Sequence, residues 1–378
     1  MPEWETEDVT KEYSMSQFAF HSPVKAFFGF NAIDNFKELL APYSRICVVS
    51  GRRSIEHTGF RKYLDEYFGD KRIFYFSEIE ENPSINTIIK GGKFARENKA
   101  EIVIGFGGGS PLDASKAIAA FATNNKGFYE LLSQPALGSE PLPLIAVPTT
   151  CGTGSEMNNY SIITDTEKVD KVNFAKENTF PKYAVIDPVF LRKLPKKIIY
   201  ATAFDAITHS LEGFLSTRAN PFSDSMAITS MEIIMSTFAQ GADTTKDETL
   251  INFLYGSSLA GITILHTGTV LLHALGYWLT NEKKIHHGTA NTILLPYFLE
   301  MLREKGVERY QIIEALMMKH EFDISRWQSA MDQDVSLKDI LSYEEIEQMV
   351  DYALTKPNCT FNPFKVEKDF VMSVLTRY

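Results

Sequence analysis

The sequence predicts an α/β N-terminal domain built on a parallel sheet, followed by an all-α C-terminal domain. In the first half of the chain, short β-rich runs alternate with helical patterns, which is typical of a parallel sheet with helices on both faces. From about Pro195 onward the patterns are long and helical, with almost no strand signal. We place the boundary in the turn from Asp187 to Pro195, which divides the chain into residues 1–190 and 191–378.

The elements are predicted from apolar runs and helical spacing. Strands are expected at residues 45–50, 72–77, 101–106, 142–147 and 183–187, with helices at 60–67 and 85–99. In the second half, helical patterns cover residues 199–215, 222–239 and 248–279. Turn signals at Asn220-Pro221 and Thr280-Asn281 separate these patterns.

The composition excludes several classes of protein. With 38 basic and 48 acidic residues the net charge is −10, which argues against nucleic-acid or anionic-membrane partners. No apolar run approaches the roughly 18 residues of a membrane span, and the acidic N-terminus lacks the features of a signal peptide. Three cysteines lie far apart, at Cys47, Cys151 and Cys359, as is typical of a reducing compartment. We therefore expect a cytoplasmic protein with a core large enough for an enzyme.

A glycine-rich segment follows the third predicted strand and opens a helix, Gly105-Phe-Gly-Gly-Gly-Ser-Pro-Leu-Asp-Ala-Ser-Lys116. Consecutive glycines let a backbone approach an anion closely, and a helix N-terminus adds free N–H groups and the positive end of the helix dipole. These features suit a pyrophosphate and predict a Rossmann-like nucleotide site. The usual Gly-x-Gly-x-x-Gly pattern is incomplete because its third glycine is Ser110, so a tight turn without a ligand stays open.

A second polar segment, Pro148-Thr-Thr-Cys-Gly-Thr-Gly-Ser-Glu156, follows the fourth predicted strand. Its hydroxyls and glycines offer donors for phosphate or ribose, although a solvated loop can have the same composition. Both polar segments leave the carboxyl ends of strands, where open α/β sheets bind their ligands.

The turn after the first predicted strand, Ser50-Gly-Arg-Arg-Ser54, bears on the choice of cofactor. An acidic residue there would hydrogen-bond a ribose hydroxyl, whereas arginines attract a 2′-phosphate. The turn therefore favours NADP over NAD, unless its arginines are ordinary solvated charges. We count Gly51, Arg52 and Ser54 among the cofactor-binding residues.

Four residues in the helical half have metal-ligand chemistry. Asp205 and His209 are four apart and share one face of a predicted helix, and His273 and His287 follow further along the chain. One carboxylate with imidazoles is a usual set for Zn²⁺ or Fe²⁺. The spacing by itself does not separate such a site from histidines that hydrogen-bond within a core.

Taken as whole motifs, the chain resembles the iron-dependent, or group III, alcohol dehydrogenases, which are related to glycerol dehydrogenases and dehydroquinate synthases. The two polar segments above carry the resemblance together with Phe204-Asp-Ala-Ile-Thr-His-Ser-Leu-Glu-Gly213, Leu272-His-Ala-Leu-Gly-Tyr277 and His287-Gly-Thr-Ala-Asn291, in matching order and spacing. It covers about residues 22–300 and implies the dehydroquinate synthase-like architecture. Residues 267–277 look most like NADP-linked propanediol and butanol dehydrogenases.

The resemblance implies a set of site residues. The metal ligands would be Asp205, His209, His273 and His287, with Fe²⁺ common in the family and Zn²⁺ in some members. The cofactor would lie with its pyrophosphate on Gly108, Gly109 and Ser110, near Asp113, and with its nicotinamide half near Thr149, Thr150, Thr153, Ile162 and Lys171. A homodimer is the assembly that the family implies.

One position departs from the family pattern. Many members have a second histidine four residues after the position of His273, assigned to proton transfer, and this chain has Tyr277 there. Tyrosine can donate and accept a proton, but its ordinary pKa of about 10 is high for the task. Tyr277 is the candidate catalytic residue, with a water chain or a mere packing role as alternatives.

These expectations combine into one function, which is metal-dependent hydride transfer between NADP(H) and a small primary alcohol or aldehyde. The metal would act as a Lewis acid on the substrate oxygen. Three alternatives stay open: an NAD-linked polyol dehydrogenase of the glycerol type, a lyase of the dehydroquinate synthase type, and a binding protein without catalysis. The segment up to Ser16 has no assigned role.

Overall fold

The structure is a computed structural model that describes residues 17–168, 170–332 and 335–377. The segment up to Ser16 lies outside the described residues. Within them, the chain forms a six-stranded parallel sheet, a separate two-stranded hairpin and a helical region that follows the last strand.

The strands are β1 (Lys25–Phe28), β2 (Arg45–Gly51), β3 (Arg72–Ile79), β4 (Ile102–Gly107), β5 (Leu144–Pro148), β6 (Ile162–Asp165), β7 (Asp170–Asn173) and β8 (Tyr183–Ile186). The helices of the first half are α1 (Phe36–Leu40), α2 (Ser54–His57), α3 (Phe60–Tyr67), α4 (Ile85–Glu97), α5 (Gly109–Thr123) and α6 (Phe128–Ser133). The helices of the second half are α7 (Lys196–Leu215), α8 (Pro221–Ala239), α9 (Asp247–Thr267), α10 (Leu271–Glu282), α11 (His287–Glu304), α12 (Tyr310–Lys319), α13 (Ile324–Ala330), α14 (Leu337–Ile340), α15 (Tyr343–Leu354) and α16 (Lys368–Leu375).

The sheet has the order β1-β8-β5-β4-β2-β3, and every neighbouring pair is parallel. All residues of β4 and β5, in the interior of the sheet, are buried. Strands that are covered on both faces read as continuous apolar runs, which is why the sequence locates them. The predicted fold class, an α/β unit with a parallel sheet followed by a helical region, is confirmed.

Three strands escape the sequence prediction. The first, β1, is an edge strand of four largely exposed residues, so it has no buried apolar run to reveal it. The other two, β6 and β7, form an antiparallel hairpin of mixed polar and apolar residues outside the main sheet. This hairpin carries two of the predicted site residues, Ile162 and Lys171.

The helical pattern at 248–279 is wrong as a single helix, because it contains two helices, α9 and α10, that meet at an angle of 110°. The break lies at Gly268, whose φ of +67° is a conformation that a residue without a Cβ adopts readily. The predicted turn at Thr280-Asn281 is also wrong, since both residues lie within α10. In contrast, Asn220 caps α8 through a capping box, as the turn signal before Pro221 indicates.

The core of the helical region surrounds α7, in which every residue from Ile199 to Leu215 is buried. This helix packs against α8, α9 and α11. A helix that is covered on all sides has no solvent-facing stripe, so the polar residues along α7 are enclosed by protein. Among the described residues, no single helix has the length and apolarity to cross a membrane, and the bent pair α9 and α10 meets that test by length and composition only.

Candidate functional site

Three of the four predicted metal ligands converge in the helical region. Asp205 lies on α7, His273 on α10 and His287 at the start of α11, and each offers a ligand atom within 4.8 Å of the other two. Oδ1 of Asp205 is 3.7 Å from Nε2 of His273 and 3.7 Å from Nε2 of His287. One carboxylate and two imidazoles aimed at one point are the donor set that Zn²⁺ and Fe²⁺ accept.

The fourth predicted ligand, His209, lies beside this group rather than within it. Its ring stacks on that of His273, with 4.5 Å between the ring centroids, and its Nδ1 is 3.8 Å from Oδ2 of Asp205. Nδ1 also donates to the carbonyl oxygen of Gly152 at 3.3 Å, which leaves Nε2 as the ring's acceptor. The same residue therefore joins the metal-ligand group to the second polar segment.

The electrostatics of the group favour a cation. Burial opposes the charge of Asp205, but His209, His287 and His273 around it hold the pKa of that carboxyl well below its usual range. Burial lowers the pKa of His209 and of His287, so these rings are neutral and can bind a metal. Burial opposes the charge of His273 too, yet Glu212 and Asp205 raise its pKa to about 9. A buried ionised carboxylate beside the neutral imidazoles of His209 and His287 suits a divalent metal ion.

Sequence reasoning misses two polar residues of this region, Glu212 and Asn291. Glu212 is fully buried and contacts Nδ1 of His273. Asn291 donates from Nδ2 to Oδ1 of Asp205 at 3.0 Å, and among the described residues its own Oδ1 is buried without a partner. Their spacing was a usable signal, since Glu212 follows Asp205 by seven residues on α7 and Asn291 follows His287 by four on α11.

The two polar segments of the first half lie against each other at the carboxyl ends of the neighbouring strands β4 and β5. A Cβ added at Gly109 would lie 2.7 Å from Cγ2 of Thr153, and one added at Gly108 would lie 3.0 Å from Cγ2 of Thr150. Gly108 is the N-cap of α5, and Gly107 before it has a φ of +146°. The close approach therefore brings the helix N-terminus and the threonine hydroxyls to one place, as a pyrophosphate site requires.

Several predicted cofactor residues hold these loops together. The carboxylate of Asp113 accepts from Oγ of Ser155 at 2.5 Å and from the N–H of Ile162 at 2.9 Å. The N–H of Thr149 donates to the carbonyl oxygen of Gly107 at 2.9 Å. Because its oxygens already accept these bonds, Asp113 positions the loops around the helix N-terminus rather than facing it as a free acceptor.

Lys171 connects the glycine-rich turn with the metal-ligand group. It donates to Oδ1 of Asn82 at 3.0 Å, and the N–H of Asn82 in turn donates to Oγ of Ser110 at 3.1 Å. Nζ of Lys171 also lies 5.2 Å from the ring centroid of Tyr277, whose ring stacks on that of His287. Burial lowers the pKa of Lys171 to about 8 and raises the pKa of Tyr277 above its ordinary value.

The predicted cofactor-selecting turn begins at the end of β2, which is the neighbour of β4 in the sheet. A Cβ at Gly51 would lie 4.0 Å from Cγ of Pro111, so the turn borders the glycine-rich segment. Arg52 is exposed, and Oγ of Ser54 is buried without a partner among the described residues. The turn thus offers two exposed cations, Arg52 and Arg53, and the hydroxyl of Ser54 at the edge of the nucleotide site.

Two family models together match most of the chain. The model described as "Iron-containing alcohol dehydrogenase" matches residues 23–188, and the one described as "Fe-containing alcohol dehydrogenase family, C-terminal" matches residues 199–378. The chain is 33% identical to alcohol dehydrogenase 4 of Saccharomyces cerevisiae over 289 residues, covering 74% of this chain and 75% of that one. It is 28% identical to the NADPH-dependent butanol dehydrogenase of Clostridium saccharobutylicum, over 77% and 76% of the two chains.

The solved structures agree with these relatives. A crystal structure of an iron-containing alcohol dehydrogenase matches with a TM-score of 0.83 and 30% identity, covering 95% of this chain and 98% of that one. A crystal structure of sulfoacetaldehyde reductase from Bifidobacterium kashiwanohense in complex with NAD⁺ matches with a TM-score of 0.85 and 25% identity, over 96% and 98% of the two chains. Sequence and structural similarity thus extend over both the sheet and the helical region.

Proposed function

Because the chain belongs to the iron-containing alcohol dehydrogenase family, we propose that it transfers a hydride between NADP(H) and a small primary alcohol or aldehyde. Membership of the family makes it an NAD(P)-dependent oxidoreductase of alcohols or aldehydes. The observation that carries the finer proposal is the convergence of Asp205, His273 and His287, with His209 beside them and bonded to Gly152 of the second polar segment.

In this proposal Asp205, His209, His273 and His287 hold Fe²⁺, with Zn²⁺ as the alternative. The bound metal supplies Lewis-acid chemistry to the substrate oxygen. The protein's part is to keep the imidazoles of His209 and His287 neutral by burial and the carboxylate of Asp205 ionised, so that these three donors are in their binding form. The hydrogen bond from His209 to Gly152 ties this site to the loop proposed to hold the nicotinamide.

For the cofactor, we assign the pyrophosphate to the N-terminus of α5, at Gly108, Gly109 and Ser110, where free N–H groups and the helix dipole favour an anion. The nicotinamide half is assigned to Thr149, Thr150, Thr153, Ile162 and Lys171, with Asp113 positioning the loops. Gly51, Arg52 and Ser54 favour the 2′-phosphate of NADP, in agreement with the name of the butanol dehydrogenase. NAD remains the alternative, since the sulfoacetaldehyde reductase structure contains NAD⁺.

Tyr277 is proposed as a proton donor in aldehyde reduction. Burial, and then the charge of Glu212, raise the pKa of its phenol, so the hydroxyl stays protonated at neutral pH. Such a group can donate a proton to a developing alkoxide but is a poor base in the reverse direction. The ammonium of Lys171 lies over the same ring and would assist by its charge.

Three further expectations complete the proposal. We assign the cofactor to residues 1–190 and the metal and substrate to residues 191–378, and we expect a homodimer in the cytoplasm. The division matches the positions of the proposed ligands, all four of which follow residue 190, and of the proposed cofactor residues, all of which precede it.

The test is NADPH oxidation with butanal as substrate. The protein is loaded anaerobically with Fe²⁺ and compared with Zn²⁺-loaded and chelator-treated samples, and each sample is assayed with NADPH and with NADH. Turnover that requires metal and favours NADPH is the expected result. Turnover that survives complete removal of metal would contradict the proposed metal role, and equal rates with NADH would contradict the proposed cofactor preference.

A further inference from the structure

We propose that Glu212 is a positioning residue that fixes His273 in the tautomer with a proton on Nδ1, so that the lone pair of Nε2 faces the metal. This inference rests on the proposed metal site and adds to it a residue that binds neither metal nor substrate.

Three hydrogen bonds hold Glu212 in place, and its side chain is fully buried. One carboxylate oxygen accepts from the N–H of Val270 at 2.9 Å and from the N–H of His273 at 3.2 Å. The other carboxylate oxygen contacts Nδ1 of the His273 ring. The same carboxylate thus contacts both the main chain and the side chain of one proposed ligand.

The chemistry of a carboxylate decides the tautomer. An ionised carboxylate can only accept, so the ring nitrogen facing Glu212 must carry a proton. On the opposite side of the ring, Nδ2 of Asn291 lies 3.3 Å from Nε2 of His273, and an amide NH₂ can only donate. A donor on that side requires an acceptor at Nε2, which independently gives the same tautomer. That nitrogen is also the one 3.7 Å from Oδ1 of Asp205.

The hydrogen bonds from main-chain N–H groups to Glu212 explain why His273 points into the site. The first N–H groups of a helix have no partner within the helix. In α10, which starts at Leu271 after the break at Gly268, the N–H groups of Val270 and His273 donate to Glu212 instead. Glu212 therefore secures the sharp bend between α9 and α10 that turns His273 toward α7.

The position of Glu212 relative to the other ligands is set by one helix. Glu212, Asp205 and His209 all lie on α7, and seven residues of helix separate Glu212 from Asp205 by about 10.5 Å along the axis. The ring of His273 lies between these two carboxylates, with Nδ1 toward Glu212 and Nε2 toward Asp205. Carboxylates that orient a metal-binding histidine in this way typically contribute 10- to 100-fold to metal affinity.

The decisive variant is Glu212→Gln, which has nearly the same shape. Its carbonyl oxygen can still accept from the two main-chain N–H groups, but its amide nitrogen can only donate to Nδ1 of His273. The proton of the ring must then move to Nε2, which loses its lone pair. We expect the dissociation constant for Zn²⁺, measured by competition with a chromogenic chelator, to rise about 10- to 100-fold.

Two further variants separate orientation from general damage. Glu212→Asp keeps the carboxylate and should retain metal affinity closer to that of the parent than Glu212→Gln does. Asp187→Asn is the matched control, because Asp187 is also a buried carboxylate that accepts from two main-chain N–H groups, those of Ile33 and Val189. Its partners lie beside the sheet, and we expect its Zn²⁺ affinity to be unchanged.

The second readout is the tautomer itself, from ¹⁵N NMR of histidine-labelled protein, with the signal of His273 assigned by its absence in His273→Ala. The spectra are recorded above the pKa of the His273 ring, where the ring carries a single proton. That proton is expected on Nδ1 in the parent and on Nε2 in Glu212→Gln. Parent-like Zn²⁺ affinity in Glu212→Gln, or a protonated Nε2 in the parent, overturns the inference. If His273→Ala itself binds Zn²⁺ as the parent does, the proposed metal site fails instead. If Glu212→Gln does not fold, the inference is tested by the tautomer of His273 in the parent protein alone.

Discussion

Replacing Gly51 by aspartate tests the proposed preference for NADP at a single position of the turn after β2. A Cβ at this position would meet the carbonyl oxygen of Ile79 and Oγ of Ser54 at 3.6 Å, which is ordinary van der Waals distance. The Cβ of the new side chain therefore fits without displacing these neighbours. Any change in cofactor preference then reports charge and hydrogen bonding rather than a distorted turn.

The size of the effect follows from Coulomb's law. A carboxylate about 4 Å from a phosphate charge is repelled by about 1 kcal/mol in water and by about 4 kcal/mol at an effective dielectric constant of 20. Position 51 is half-buried, so an intermediate value of about 2 kcal/mol is appropriate. That value corresponds to a loss of roughly 30-fold in affinity for NADPH. Binding of NADH should improve, since the carboxylate can accept from the free ribose hydroxyls.

The assay is the ratio of kcat/KM for NADPH to kcat/KM for NADH in butanal reduction. Gly127→Asp is the matched control because it adds the same charge at an exposed glycine with no atom within 4 Å of the new Cβ. As the N-cap of α6, that position accepts aspartate readily. An unchanged ratio in Gly51→Asp would refute the argument that this turn selects the cofactor. An equal shift in Gly127→Asp would show that the effect comes from the net charge of the protein and not from the turn.

Three other outcomes are expected. His273→Ala should lose metal on dialysis and reduce turnover to the level of chelator-treated protein, while NADPH binding measured by fluorescence is retained; full activity would remove the metal assignment. Burial lowers the pKa of Lys171 to about 8, so its ammonium loses a proton as the pH rises through that value, and NADPH affinity should fall there in the parent but not in Lys171→Met. Burial raises the pKa of Cys47 and Cys151 to about 12 and that of Cys359 to about 11. Iodoacetamide at neutral pH should therefore label the native protein slowly. Mass spectrometry should find the first label at Cys359, which is only half-buried.

The fold is predictable where local sequence reports burial. The interior strands of the sheet, such as β4 and β5, are apolar throughout because both faces are covered, and this pattern needs no knowledge of their neighbours. The edge strand β1 is exposed and gives no such pattern. The helical pattern at 248–279 remains apolar across Gly268, so periodicity alone cannot show that the chain turns there by 110°.

The candidate site likewise has residues that local spacing predicts and residues that only the tertiary structure brings together. Asp205 and His209 share a helix face, so their spacing alone predicts that they are neighbours. The contact between Glu212 and His273 joins residues 61 positions apart, and it exists only because α9 and α10 return the chain to α7. The seven-residue spacing places Glu212 on the same face of α7 as Asp205, but it does not identify His273 as the partner of Glu212. Its function is visible only when the partner across the bend is known.

Close helix packing is what makes the proposed metal site possible, and small residues next to the ligands provide it. A Cβ at Gly288, adjacent to His287, would lie 1.9 Å from the carbonyl oxygen of Ala201 on α7. A Cβ at Gly276 on α10 would lie 2.4 Å from Oδ1 of Asn291 on α11. A side chain at Gly288 would force α11 away from α7, and one at Gly276 would displace the amide of Asn291. Because Asp205, His273 and His287 come from three different helices, the distances between their ligand atoms depend on these glycines as directly as on the ligands themselves.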